Sequence, residues 1–204
     1  APRRTMNNSS CHVLQRFFLL ATATVSLGSV YADSQIATVS PDSFSVGPGA
    51  TGLEIIVDYD TDPTGVQTTG AGISIFFDSS RLTFVALTET YDEDLIQATR
   101  TPDLVVDDIN DVDENETTDK RAIIAYTSFS GSWPDGNDTD RPLELFRVTF
   151  DSASDTWEGE TLINIFVTDG AAGYSATNAA ITVAFVPDGD GDGVLNADDN
   201  CPLV

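Results

Sequence analysis

Residues 51–60 read TGLEIIVDYD, and their pattern is the clearest indication of the fold class. Apolar and polar side chains alternate along it, with one break at Ile56. The apolar positions are Leu53, Ile55, Val57 and Tyr59. Successive side chains of a β-strand point to opposite faces, so a period of two predicts a strand that buries one face and exposes the other.

The same pattern recurs along the chain after residue 33. Further strands are predicted at 36–39, 44–46, 72–77, 82–87, 122–129, 143–150, 161–167 and 180–185. The count is about nine strands, rich in Val, Ile, Phe and Thr, as a half-buried pleated surface favours. No long helical period occurs in this region, and 95–99 and 104–109 are expected to form at most a turn or two of helix. The sequence therefore predicts an all-β, two-sheet sandwich over residues 33–187.

The chain is strongly acidic. Its 204 residues hold 33 Asp and Glu against 9 Lys and Arg, a formal net charge of −24. A polyanion is repelled by phosphate backbones and by anionic lipid, so nucleic acid and acidic membrane surfaces are poor partners. The hydrophobic fraction of 41% is enough for a core, which excludes a disordered polar chain.

Residues 6–32 have the features of a secretory signal peptide. Met6 is a plausible start, Arg16 is the basic flank, and an apolar run over 17–27 is followed by small residues up to Ala32. We predict cleavage after Ala32, export by a bacterium, and a secreted or cell-surface location with no membrane span after cleavage. A retained anchoring helix is the alternative. Residues 1–5 precede Met6 and are interpreted as upstream sequence.

Cleavage at this position would remove Cys11 and His12, the one histidine of the chain. Nucleophilic triads and His-ligated catalytic zinc both need an imidazole, so neither is expected in the mature chain. Glycoside hydrolysis by two carboxylates remains open, but no acid pair is singled out among so many acids. We predict a protein that is not an enzyme and name no catalytic residue.

Residues 72–84, GISIFFDSSRLTF, resemble the cohesin module, in which an apolar strand closes on a Phe-Asp turn into the next strand. Stretches 145–150, 159–165 and 178–183 are similar to the closing strands of that family. The resemblance covers about 35–186. It implies a nine-stranded jelly-roll without catalytic activity that binds a calcium-loaded dockerin or a surface protein. The family's contact face has no fixed short motif, so no contact residue is carried over.

A carbohydrate-binding module of a secreted polysaccharide-degrading enzyme is the rival interpretation. Trp133 stands in a Gly- and Pro-containing loop, where its ring has two possible roles. It would either stack on a sugar or cover the open end of the sandwich core. The second role is the more common one for a loop tryptophan.

Residues 92–119 form a long insertion relative to the cohesin pattern, and 11 of these 28 residues are acidic. The acids are densest over 107–116. Such a segment either folds around calcium, which takes oxygen ligands, or stays a solvated acidic loop. The spacing of these acids matches no standard calcium loop.

The C-terminal residues 188–204 contain a calcium loop register. Counting from Asp188, the predicted Ca²⁺ ligands at loop positions 1, 3, 5, 7, 9 and 12 are Asp188, Asp190, Asp192, Val194 through its carbonyl, Asn196 and Asp199. Gly193 at position six permits the tight turn. A flexible acidic linker is the alternative.

The residues that end this loop, 199–202, read DNCP and resemble the thrombospondin type 3 repeat. In that family the repeats follow one another and their cysteines pair between neighbours. The resemblance implies a calcium-stiffened spacer, and the unpartnered Cys201 leads us to expect that 188–204 is the truncated start of a series.

We expect calcium to order the tail and leave the sandwich nearly unchanged. Without the ion, four aspartates repel one another within twelve residues, and coordination at about 2.3 to 2.6 Å replaces that repulsion. A calcium titration followed by the backbone amide signals of 188–200 checks this, with Asp188→Ala and Asp192→Ala as comparisons. Equal responses in all three proteins would contradict the register, and magnesium should substitute poorly.

Overall fold

Two β-sheets face each other in the computed structural model, which describes residues 34–135 and 141–187. The described residues belong to a single unit. They form β1 (Ser34–Ser40), β2 (Ser43–Val46), β3 (Leu53–Asp62), β4 (Gly70–Phe77), β5 (Leu82–Thr88), β6 (Leu95–Ala98), β7 (Val106–Asp107), β8 (Lys120–Thr127), β9 (Leu143–Ser152), β10 (Gly159–Asp169), β11 (Ser175–Thr177) and β12 (Ala179–Phe185). The helical content of these ranges is a single 3-10 turn, Pro102–Leu104, so they contain no helix with the length and apolarity of a membrane span.

The strand order defines a sandwich. One sheet has five strands in the order β11-β1-β3-β9-β5, and the other has seven, β2-β12-β10-β4-β8-β6 with β7 also paired to β8. The pairs β1–β11 and β2–β12 are parallel, and the others are antiparallel. The predicted all-β, two-sheet jelly-roll sandwich is confirmed.

All nine predicted strands are present, and β6, β7 and β11 are additional. The residues of β6 read LIQA, which does not alternate, and β7 and β11 have only two and three residues. The helical expectation for 95–99 is wrong, because Leu95–Ala98 pairs with β8. For 104–109 the structure has the end of the 3-10 turn followed by β7.

The alternation in β3 places one face in the core. Leu53, Ile55, Val57 and Tyr59 are buried, whereas Glu54 is exposed. They face the inward residues of β4, which include Ile73 and Ile75, in one hydrophobic core between the sheets. Each such side chain stabilises the fold by about 1.5 to 3 kcal/mol through removal from water.

Strand β4 is buried on both faces, because every residue from Gly70 to Phe77 has little access to solvent. Ser74 and Phe76 alternate with the core residues and therefore face away from the other sheet. The Phe76 ring packs edge-on against Phe166 of β10 at 5.6 Å. The seven-stranded sheet is thus covered on part of its outer side, and this cover positions the candidate site.

Trp133 is a core residue with 0% exposure. Its ring stacks on Tyr126 at 4.8 Å and tilts against Tyr59 at the same distance. Two backbone hydrogen bonds between Trp133 and Thr68 hold the loop in place. The prediction that Trp133 covers the core is confirmed, and sugar stacking is wrong for this residue.

Gln35 is a buried polar residue that connects the two sheets. Its amide nitrogen donates to the Tyr59 hydroxyl at 2.7 Å and to the Gly70 carbonyl at 3.0 Å. Its amide oxygen accepts from the Ala171 backbone N–H at 2.6 Å. A buried amide is compatible with a core only when its hydrogen bonds are made, so these three contacts fix how the start of β1 meets β4.

We expect Gln35→Leu to lower the free energy of unfolding by about 2 to 4 kcal/mol. Leucine leaves the Ala171 N–H without the Gln35 oxygen, and the Gly70 carbonyl keeps only the longer hydrogen bond from the Thr68 hydroxyl. Urea unfolding measures the change. Gln97→Leu, at an exposed position of β6, is the matched control and should change stability by less than about 0.5 kcal/mol. Equal losses in both variants would contradict a role for the buried network.

Candidate functional site

The predicted site residues fall partly outside the described ranges. The calcium ligands Asp188, Asp190, Asp192, Val194, Asn196 and Asp199 all lie there, as does the signal peptide over 6–32. These assignments stay predictions. Within the described residues, the candidate site is the outer face of the seven-stranded sheet, meaning the side of β10, β4, β8 and β6 that is turned away from the core.

A groove of about 530 Å³ lies at the Gly70 end of this outer face. Small residues such as Gly72 and Ala125 line it. Two large apolar side chains also line it, Ile96 with 65% exposure and Phe129 with 101%. Single exposed apolar residues are ordinary, but two beside one concave surface mark a candidate interaction site.

The groove lies where the backbones of β4 and β8 come very close together. Gly70 has φ of +122°, and a Cβ at this position would lie 2.1 Å from the Tyr126 carbonyl oxygen. Only glycine fits there. Since neither Gly70 nor Gly72 carries a side chain, no side chain from this end of β4 fills the space on the outer face.

A local irregularity in β6 accounts for the exposure of Ile96. The pairing with β8 shifts register between Leu95 and Gln97, which leaves Ile96 as the extra residue. Such bulges redirect a side chain. Leu95 packs against the core while Ile96 projects into solvent.

Sequence reasoning named neither of these apolar residues as a site. The predicted strand over 122–129 ends at Phe129, whereas β8 ends at Thr127 and Phe129 lies in the following loop. The available signal was a phenylalanine between Ser128 and Ser130, two residues before Gly131.

The other end of the outer face is covered by part of the acidic insertion. Asp119 accepts hydrogen bonds from the Ser79 backbone N–H and hydroxyl, both at 2.7 Å. Asp113 accepts from the Asn164 side chain on β10 at 2.7 Å and from the Thr118 hydroxyl at 2.8 Å. Asn164 is paired in register with Phe76, so Asp113 holds the insertion beside the outward side of β4.

Three carboxylates of the insertion converge. One oxygen from each of Asp108, Asp111 and Asp113 lies within 4.8 Å of the others. Asp108 is 9% exposed and Asp113 is 7% exposed. The interpretation of this segment as a solvated loop is therefore wrong for these two residues, although Asp111 is exposed. Calcium binding here stays a prediction.

The Asp119 carboxyl has a pKa below its ordinary value. Partial burial acts in the opposite direction, but the hydrogen bonds from Ser79 and the charge of Lys120 outweigh it. Hydrogen bonds to a carboxylate favour its ionised form. The contact between Asp119 and Ser79 is therefore strongest when the carboxyl is charged.

Several solved structures similar to this chain are cohesin modules. The cohesin of a Clostridium perfringens family 33 glycoside hydrolase is 11% identical, with 76% of this chain and 97% of that chain covered and a TM-score of 0.44. The sixth cohesin of Acetivibrio cellulolyticus scaffoldin B, solved in complex with a dockerin, is 9% identical over 76% and 99%, with a TM-score of 0.41. A type III cohesin from a Ruminococcus flavefaciens cell-surface anchoring scaffoldin is 10% identical over 77% and 89%, also with a TM-score of 0.41.

No family model matches the chain, and no curated protein matches it. The two-sheet sandwich is established by its own strands and pairings.

We expect Asp119→Asn to weaken the fall in the free energy of unfolding as the pH is lowered into the acidic range. A carboxyl with a lowered folded-state pKa adds stability that is present above the ordinary value near 3.8 and is lost as the pH falls through the lowered value. Urea unfolding between pH 2 and 6 measures this effect. Ser79→Ala removes only the hydrogen bond from the Ser79 hydroxyl to Asp119. It should therefore weaken the pH dependence of stability as well, but by a smaller amount. If the free energy of unfolding of Asp119→Asn depends on pH as that of the wild type does, this explanation is wrong.

Proposed function

We propose that the β-sandwich is an exported, non-catalytic binding module of the cohesin type, and that it takes a calcium-loaded dockerin on the outer face of its seven-stranded sheet. The observation that carries this proposal is the groove, with Ile96 and Phe129 exposed beside it. A dockerin is the partner that the resemblance over 72–84 implies.

The lining of the groove suits binding rather than catalysis. Its described residues are glycine, alanine, serine, threonine, Ile96, Phe129 and Tyr126, with no carboxylate, amine, imidazole or thiol among them. Burial raises the pKa of the Tyr126 hydroxyl, which therefore stays protonated near neutral pH. Proton transfer and nucleophilic attack both need a titratable group of suitable pKa, and the groove supplies none.

The energetic centre of the proposed interface is apolar. Exposed Ile and Phe side chains gain most from removal from water, and interfaces concentrate their binding energy in a few such anchors surrounded by a polar rim. The net charge of −24 adds long-range attraction for a partner whose contact surface is basic. It raises the association rate more than the final affinity.

The segments outside the described residues complete the proposal. A signal peptide over 6–32 would export the module, and a calcium loop over 188–204 would begin a stiff spacer that holds it away from the surface or from a neighbouring domain. The module then acts in adhesion or in the assembly of polysaccharide-degrading proteins.

The test is binding of dockerin modules encoded in the same genome, measured by isothermal titration calorimetry with calcium present. We expect Ile96→Asp and Phe129→Asp each to weaken binding at least about 30-fold, equivalent to about 2 kcal/mol for a central anchor. Val85→Asp is the matched control, because Val85 is also an exposed aliphatic residue at a register shift, but in β5 of the other sheet.

The control variant should bind as the wild type does. Failure of every dockerin to bind at micromolar concentration would contradict the proposal, as would equal weakening by Val85→Asp. Binding of a soluble polysaccharide that Phe129→Asp abolishes, without dockerin binding, would instead support a carbohydrate-binding module.

A further inference from the structure

We propose that the acidic insertion holds a calcium ion between Asp108, Asp111 and Asp113, and that this ion secures the insertion on the outer face of the seven-stranded sheet. The proposal does not depend on the identity of the partner or on the predicted calcium loop over 188–204. It follows from the geometry of the three carboxylates and from the surroundings of Asp108.

The separation of the carboxylates fits one calcium ion. Calcium binds oxygen at about 2.3 to 2.6 Å, so two oxygens on the same ion are at most about 5 Å apart. One oxygen from each of Asp108, Asp111 and Asp113 lies within 4.8 Å of the other two. Three oxygens this close need to move inward by at most a few tenths of an ångström, about 0.2 Å each, to share a single ion.

Asp108 is the observation that points to a ligand. One of its carboxylate oxygens, Oδ2, accepts a hydrogen bond from the Val112 backbone N–H at 2.9 Å. The other, Oδ1, is buried and has no hydrogen-bond partner among the described residues. The residue is more than nine-tenths buried, and an unpaired buried carboxylate oxygen is strongly unfavourable. Coordination to a cation satisfies that oxygen.

Among the described residues, no basic side chain forms an ion pair with the cluster. The five ion pairs of the described residues do not include Asp108, Asp111 or Asp113. The nearest lysine in sequence, Lys120, is paired with Asp107. Three carboxylates held this close repel one another unless a positive charge lies between them, and a divalent ion supplies that charge.

The chemistry of the site selects calcium. The converging groups are carboxylates, with no imidazole or thiolate, which disfavours zinc and copper. Glu116 and Thr118 line a cavity of about 470 Å³ together with Asp108 and Asp111. That opening leaves room for water to complete a coordination number of six to eight, which calcium accepts. Magnesium demands a stricter octahedron and retains its own waters.

The ion would act on the fold through Asp113. Its carboxylate already accepts a hydrogen bond from Asn164 on β10 and another from Thr118 within the insertion. A calcium ion bound by Asp113, Asp108 and Asp111 together would link the hydrogen bond between Asp113 and Asn164 to the rest of the insertion. The cover over Phe76 would then be more stable with calcium than without it.

A calcium titration of the full chain, followed by backbone amide signals, tests the site without any partner present. We expect the amides of 107–114 to shift on calcium addition and to saturate, while the same concentration of magnesium produces much smaller shifts. Asp111→Asn should weaken this response at least about tenfold. This variant preserves the fold, because Asp111 is exposed and has φ of +47°, a conformation that asparagine adopts readily.

Asp103→Asn is the matched control, since Asp103 is an exposed acid of the same insertion outside the cluster. It should titrate as the wild type does. The response of 188–200 reports the tail separately and should be unchanged in both variants. The proposal is overturned if 107–114 do not respond below 10 mM calcium, if Asp111→Asn responds as the wild type does, or if magnesium is equally effective.

Discussion

The central constraint on this structure is that β4 is buried on both of its faces. One face packs into the core between the sheets, where Ile73 and Ile75 lie. The other face carries Phe76, which no second sheet covers. Leaving this large aromatic ring in water would forfeit about 1.5 to 3 kcal/mol, so the outer side of the strand needs a cover built from elsewhere in the chain.

The cover is supplied at one end of the strand and omitted at the other. Near Phe76, the outer face is closed by the ring of Phe166 and by the Asp113 carboxylate, which accepts a hydrogen bond from the Asn164 side chain. Near Gly70 the strand has no side chain to bury, and the face remains open as the groove. The same strand therefore divides the sheet into a closed acidic half and an open apolar half. The first is the proposed calcium site, and the second is the proposed docking surface.

The fold could be predicted because its main signal is local. The alternation in 51–60 and the turn after Phe77 each depend on neighbouring residues, and both are present in the structure. The role of Trp133 was also predictable, since a loop tryptophan beside a sandwich usually covers its core. The strands β6, β7 and β11 were not, because the residues of β6 do not alternate and β7 and β11 have only two and three residues.

The outer face was harder to predict because it depends on contacts between distant residues. Asp113 and Asn164 are 51 positions apart, and no periodicity relates them. Ile96 projects outward because the register shifts in β6, which residue types alone do not signal. The convergence of Asp108, Asp111 and Asp113 likewise follows from how the insertion lies on the sheet rather than from their spacing.

Cross-saturation NMR on the complex with a bound dockerin would show whether the open half of the outer face is the docking surface. Saturation passes from the protonated dockerin to nearby amides of the deuterated chain. We expect the backbone amides of Ile96, Ala125 and Phe129 to lose the most signal intensity. Losses concentrated on the five-stranded sheet, for example at Glu54 and Arg147, would contradict it.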